Sequence, residues 1–232
     1  HNKRALPSWA ETLRQKYRAG EASVFILHGN VFDRILTDKT SLGLVQFLAD
    51  TLLAGKKTRV YELSLDRGLK VLHGGTLEEK EELYRHLEGK GLAGIFESIE
   101  RRMLAAPSNA LIIPYAGAML PAAEPQFLSL DERSASIAIH RWSLDDDFSS
   151  KDNLVILIAE SLAQLNPELP ANPRVAAIQI PMPDFGNRLA AVRHYATSIP
   201  SDQAERLADH TAGLRTVQIA SIVSSDKPQG LD

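Results

Sequence analysis

A lysine followed by a hydroxyl residue, Lys39-Thr40, closes the eight-residue frame Asp33-Arg34-Ile35-Leu36-Thr37-Asp38-Lys39-Thr40. The frame has the length of a phosphate-binding loop, GxxxxGK[ST]. In such a loop backbone N–H groups cradle phosphates, the lysine meets the β/γ charge and the hydroxyl reaches Mg²⁺. Here aspartates stand at both glycine positions, Asp33 and Asp38. Two carboxylates repel a polyphosphate, and their side chains crowd a loop that must approach it closely. The frame also begins beyond the end of the preceding apolar run, Ser23 to Leu27. Two readings follow. Lys39 and Thr40 either hold ATP and Mg²⁺ in an atypical loop, or they are a remnant or a coincidence, and the second is our expectation.

Other chemistry-bearing residues point to simpler roles. His28-Gly29-Asn30 at a strand end resembles an oxyanion loop, but no GxSxG elbow exists to use it. The histidines at 1, 28, 73, 86, 140, 194 and 210 form no HxH or HxxxH pair, so no metal site is expected. Asp145-Asp146-Asp147 lacks the glycine and closing glutamate of a calcium loop and reads as a solvated segment. Glu78-Glu79-Lys80-Glu81-Glu82 reads as a solvated helix face. With no cysteine, disulfides, thiolate metal sites and cysteine nucleophiles are excluded.

These residues must be positioned by elements that the apolar pattern outlines. Apolar runs predict buried strands at 23–27 and 110–113 and a strand at 154–159, and 59–63 and 176–180 are further strand candidates. Between them lie predicted helices from Ser8 (as N-cap) to Ala19, then over 42–53, 77–87 and 95–104. A further helix is capped by Asp184 and runs to Tyr195, and only helices follow Asp202. Residues 121–152 are rich in Pro, Ser and Asp and read as mostly irregular, with a short strand at Ile137-Ala138-Ile139. Alternating strands and helices predict an α/β fold with a parallel sheet, whose ligands sit beyond the carboxyl ends of the strands.

Length, 232 residues, suits one main domain with a small appendage, and 44% hydrophobic residues suffice for a sizeable core. A net charge of −3 gives no field that would gather nucleic acid or an anionic membrane. No apolar stretch is long enough to span a bilayer. His1 in place of an initiator methionine suggests a piece of a longer chain, and the cytoplasm is the default location.

The segment from Asn153 to Ala196 carries a family resemblance. It shows a buried strand, then Leu165-Asn166-Pro167-Glu168-Leu169, Arg174-Val175, a second strand, and Pro181-Met182-Pro183-Asp184 opening a helix with Arg188. Leu207 to Val223, "LADHTAGLRTVQIASIV", continues it. In order and spacing this resembles the second half and lid of an AAA+ ATPase module. The resemblance implies a P-loop-NTPase-like parallel sheet sandwiched by helices over residues 1–200, and a small helical lid over 201–232. It also implies a site, and the site residues depart from it. The strand before Pro114-Tyr115-Ala116-Gly117 should end in an Asp-Glu pair for Mg²⁺ and the attacking water, and Tyr115 and Ala116 supply neither. The sensor asparagine aligns with Glu160, and the first arginine-finger position with Ala171. The second finger position is kept as Arg174, which could serve a neighbouring subunit in trans or form a plain surface ion pair.

The resemblance therefore implies a degenerate AAA+ domain with impaired or absent ATP binding and hydrolysis. Such a domain would serve the assembly and regulation of a larger AAA+ ATPase that acts on a protein substrate. Its expected partners are a second AAA+ module in the same chain, beginning after Gly230-Leu231-Asp232, and neighbouring subunits. The alternatives are an active ATPase using Lys39 and Thr40, and a protein-interaction domain with no nucleotide role.

Overall fold

The structure, a computed structural model, describes residues 5–224. In chain order it contains α1 (Ser8–Arg18), β1 (Val24–Gly29), β2 (Ile35–Leu36), β3 (Ser41–Leu42) and α2 (Leu44–Phe47). The winding of α2 continues as a π-helical turn, Leu48–Leu53. Next come β4 (Arg59–Ser64), β5 (Gly68–His73), α3 (Leu77–Leu87), α4 (Leu92–Ala105) and β6 (Asn109–Ile113). Then follow α5 (Ala116–Met119), α6 (Leu130–Leu144), α7 (Asp146–Ser150), β7 (Asn153–Ile158), α8 (Glu168–Ala171) and β8 (Val175–Ile180). Helices α9 (Phe185–Tyr195), α10 (Ser201–His210) and α11 (Thr216–Val223) close the described chain. The predicted junction at Gly230-Leu231-Asp232 lies outside the described residues.

The chain forms two compact units. Among the described residues one comprises Leu6–Val31 and Val45–Ile180; the other comprises Ala5, Phe32–Leu44 and residues 181–224. The first unit holds a six-stranded sheet in the order β5-β4-β6-β7-β1-β8. Every pairing is parallel except β4–β5, a hairpin that adds an edge strand. Strands β6 and β7 are buried along their whole length, as a strand covered on both faces must be. Alternation divides their side chains between two layers. Val24, Ile26, Leu111, Ile113, Val155 and Leu157 join the core made with α3, α4 and α6. On the opposite face Phe25 meets Tyr17 of α1, with ring centroids 6.5 Å apart. Trp142 anchors the first layer, stacked between Phe96 at 5.5 Å and Phe148 at 5.3 Å, and its indole N–H donates to Glu100 at 3.0 Å.

The second unit has its own small core. Ala191, Val192, Ala204 and Ile219 are buried in it, with Leu36 of the β2–β3 hairpin packed against them. Arg188 is buried here, donating from Nε to the Ala208 carbonyl at 2.8 Å and from Nη1 to the Pro183 carbonyl at 3.0 Å. It ties α9 to α10 and to its own entry turn.

Three expectations are corrected. Residues 121–152 are largely helical, and Ile137-Ala138-Ile139 lies inside α6 rather than in a strand. Ser129 and Glu132 form a capping box that starts this helix. The helix expected over 42–53 begins at Leu44, because Leu42 pairs with Ile35 in the β2–β3 hairpin. Ser8 is the first residue of α1 rather than its cap, and Pro7 fills that position without a side-chain bond. Asp184 does cap α9, accepting from the Asn187 N–H at 2.8 Å.

Candidate functional site

The carboxyl ends of β1, β6 and β7 meet in the first unit, where ligands of parallel sheets bind. At the end of β1 the chain stays bound to its neighbours. The Gly29 N–H donates to the Glu160 carbonyl at 3.0 Å, the Asn30 N–H to the Ile180 carbonyl at 2.9 Å, and the Val31 N–H to the Gly29 carbonyl at 2.8 Å. A phosphate loop would aim such groups at its ligand; here protein carbonyls take them up. Gly29 itself is required, since its φ is +97° and a Cβ would lie 2.6 Å from the Ile180 carbonyl oxygen. Burial pushes the neighbouring His28 imidazole below its ordinary pKa, so at neutral pH it carries no charge for an anion.

Beyond β6 the chain runs Pro114-Tyr115 into α5. Tyr115 is 59% exposed and Ala116 is buried, so no carboxylate stands where a metal-binding pair was sought. Beyond β7 the Glu160 N–H donates to the Gln164 side-chain carbonyl at 3.2 Å, while the Glu160 side chain is exposed. The two loops are stitched together, with the Ala122 N–H donating to the Gln164 carbonyl at 3.1 Å and the Asn166 N–H to the Leu120 carbonyl at 2.8 Å.

Lys39 and Thr40 lie in the second unit, exposed in the turn between β2 and β3. Their N–H groups point to the Thr37 hydroxyl oxygen, at 3.4 and 3.1 Å, and the same hydroxyl donates to the Thr40 carbonyl at 2.9 Å. This is a side-chain-closed turn, the usual work of threonine in such a position. Asp33, at the first glycine position of the frame, is only 6% exposed. Its carboxylate accepts from the Thr216 N–H at 2.9 Å and the Val217 N–H at 3.0 Å, the first two donors of α11. A helix N-terminus that could attract an anion is thus occupied by the chain's own carboxylate.

Arg174 stands just before β8. Its guanidinium meets Asp146 at 3.6 Å, and Asp146 is 94% exposed, so the pair is a solvent-screened surface contact. Its backbone N–H is held at 2.8 Å by the side-chain oxygen of Asn172. Asn172 in turn donates to Ser143 at 2.7 Å and contacts His140 at 3.1 Å, a buried network linking α6 to the start of β8. Sequence reasoning missed this network, and no spacing motif advertises it. Asp145-Asp146-Asp147 proves to be a helix start, with Asp145 capping the Asp147 N–H at 2.9 Å. Among the described residues no group of three acidic or histidine side chains could hold a metal ion. None of their helices is long and apolar enough to cross a membrane.

Comparison with known proteins agrees with this architecture. Residues 1–181 match the family described as AAA+ chaperone, N-terminal Rossmann-like domain. No curated protein matches the sequence. Among solved structures, a chain of the Escherichia coli MS115-1 HORMA:CdnC:Trip13 complex superposes with a TM-score of 0.54 at 15% identity. The match covers 96% of this chain and 82% of that one. At such identity the likeness speaks for the fold alone. With most of its length matched by the family, the chain belongs to the AAA+ chaperone N-terminal Rossmann-like domains.

Proposed function

We propose that this chain is a degenerate AAA+ module that neither binds ATP·Mg²⁺ productively nor hydrolyses it, and that it serves the assembly and regulation of a larger AAA+ chaperone. One observation carries the reading. The backbone donors of Gly29, the last residue of β1, and of Asn30 after it are bound to the Glu160 and Ile180 carbonyls, at the strand end where a phosphate loop would begin. The loops beyond β6 and β7 add no carboxylate pair, and Glu160 places a negative charge where a neutral group would orient water. Lys39 and Thr40 we read as a remnant or a coincidence.

The partners in this reading are an active AAA+ module of the same chain and the neighbouring subunits, with Arg174 offered to an adjacent site in trans. The family's description as a chaperone N-terminal domain supports a protein substrate for the parent machine. So does the structural neighbour, a complex of Trip13 with HORMA and CdnC. The cytoplasm remains our assignment.

Isothermal titration with ATP and Mg²⁺ tests the nucleotide part. The expected result is no binding up to about 1 mM, a free energy of only ~4 kcal/mol. Micromolar binding abolished by Lys39→Ala would establish the active alternative. The assembly part is tested on the full-length protein by comparing ring formation and ATPase rate with and without this domain. If deletion changes neither, the domain is an interaction module with no nucleotide role in any partner.

A further inference from the structure

Helices α3 and α4 face a groove of about 600 Å³ in the first unit, lined by Glu82, Arg85, His86, Ser98, Arg101, Arg102 and Ala105. The spacing is that of two helix faces turned toward one space. Residues 82, 85 and 86 share one face of α3, and residues 98, 101, 102 and 105 share one face of α4. Three arginines therefore line a single groove in a chain whose net charge is −3. Only one acid, Glu82, lines it.

Two features point to an absent ligand. Ser98 is 3% exposed, and its hydroxyl has no hydrogen-bond partner among the described residues. Buried polar atoms are rarely left so, because an unmade bond costs more than a made one gains. The half-buried Arg102 side chain makes no hydrogen bond or close ion pair of its own among the described residues and acts on the Glu79 carboxylate only through its field, while the Arg101 side chain has only the exposed contact to Glu97 at 2.9 Å. Lys90 Nζ lies 3.0 Å from His86 Nε2 and adds a further basic group beside the groove. Ala105, with no side chain beyond Cβ, leaves the end of the groove clear.

We propose that this groove binds a small phosphate-bearing anion, with Arg85, Arg101 and Arg102 as its charged forks and the Ser98 hydroxyl as its innermost donor. Guanidinium forks match tetrahedral oxyanions in two-point contact, and the groove presents donors on both walls. Phosphate is favoured over a carboxylate because three forks and a hydroxyl exceed what one planar group can accept. The groove lies along the second half of α4, which leads into the amino end of β6. It is thus distinct from the carboxyl ends of the strands, and the proposal stands whatever happens there.

Pyrophosphate is the probe, with acetate as the carboxylate control, titrated against the whole chain by isotope-edited NMR at low ionic strength. Submillimolar pyrophosphate binding is expected, with shifts at the Ser98 and Arg102 amides and acetate at least about tenfold weaker. Arg101→Gln, at an exposed position that the fold does not need, should weaken binding about tenfold or more, since one charged fork is lost. Ser98→Ala removes the innermost donor without changing charge, and should weaken it by a smaller factor. No saturable shift below about 10 mM pyrophosphate overturns the proposal, as does binding that neither variant alters.

Discussion

Lys57 carries its ammonium group into a site where only 4% of the side chain meets solvent. Three acceptors hold it: the Asp152 carboxylate at 2.6 Å, the Asp152 carbonyl at 2.7 Å and the Tyr17 hydroxyl at 2.7 Å. Burial works against the charge on Lys57, and the hydrogen bond to Asp152 works for it. For Asp152 burial would raise the pKa, but hydrogen bonds from Lys57 and Tyr17 hold it below the ordinary carboxylate value. Asp152→Asn should therefore cost ~2 kcal/mol at pH 7, less than a fully buried pair because the carboxylate is half exposed. Asn tolerates the left-handed backbone at this position, φ +58°, so the loss reports charge rather than strain. A depressed folded pKa contributes stability that is full above the unfolded value near ~3.9 and fades as pH falls through the folded one. Urea midpoints of the two proteins should accordingly differ clearly at pH 7 and draw together as the pH falls through the lowered carboxyl value of Asp152. A gap that stays constant with pH would show that the carboxylate's charge is not what matters.

At the scale of elements, Asp33 does for α11 what its place in the Lys39-Thr40 frame conceals. Buried, and accepting from the first two N–H groups of the helix, it acts as a cap supplied by a distant segment. Asp33→Ala should cost ~1–2 kcal/mol and speed amide exchange at Thr216 and Val217. The double change Asp33→Gly, Asp38→Gly restores the glycines of a phosphate loop, yet it should lower stability and confer no ATP affinity. A gain of ATP binding would overturn this reading of the hairpin. The same contrast shows what was legible in the sequence. Strands β1, β6 and β7 were readable because apolar runs leave few alternatives, and β4 and β8 because short apolar-rich segments stand between predicted helices and turns. Helix α6 was not, since Leu130, Ile137 and Leu144 face solvent while Ser136 and Ser143 are buried, which erases the amphipathic pattern. Its one local signal was the capping box Ser129–Glu132. Strand β5 pairs along one edge only and is buried only at Leu69, too little apolar pattern to announce it. At the candidate site, residue types could be read at each strand end, but the bonds that pin Gly29 and Asn30 to carbonyls 131 and 150 residues away could not.

For the whole molecule, fold and chemistry separate. The sheet keeps its order and its buried central strands, and Trp142, fully buried between two rings, would cost ~3–5 kcal/mol to truncate. The strand ends carry few groups able to handle phosphate, so a function in assembly must act through the surface. Arg174 is the sharpest test of that idea. Its one side-chain ion pair among the described residues is with a nearly bare Asp146, worth less than ~1 kcal/mol. Its bond to Asn172 uses the backbone and survives substitution. Arg174→Ala should therefore leave the melting temperature of this domain within about 2 °C of wild type. If Arg174 reaches a neighbouring active site in the assembled machine, the same change should lower ATP turnover there about a thousandfold, with ring formation unchanged. Arg174→Lys keeps the charge but not the planar fork, and should recover only a small part of the loss. Turnover unchanged by Arg174→Ala in an intact ring would leave the residue as a surface ion pair and move the search for trans contacts to other edges of the fold.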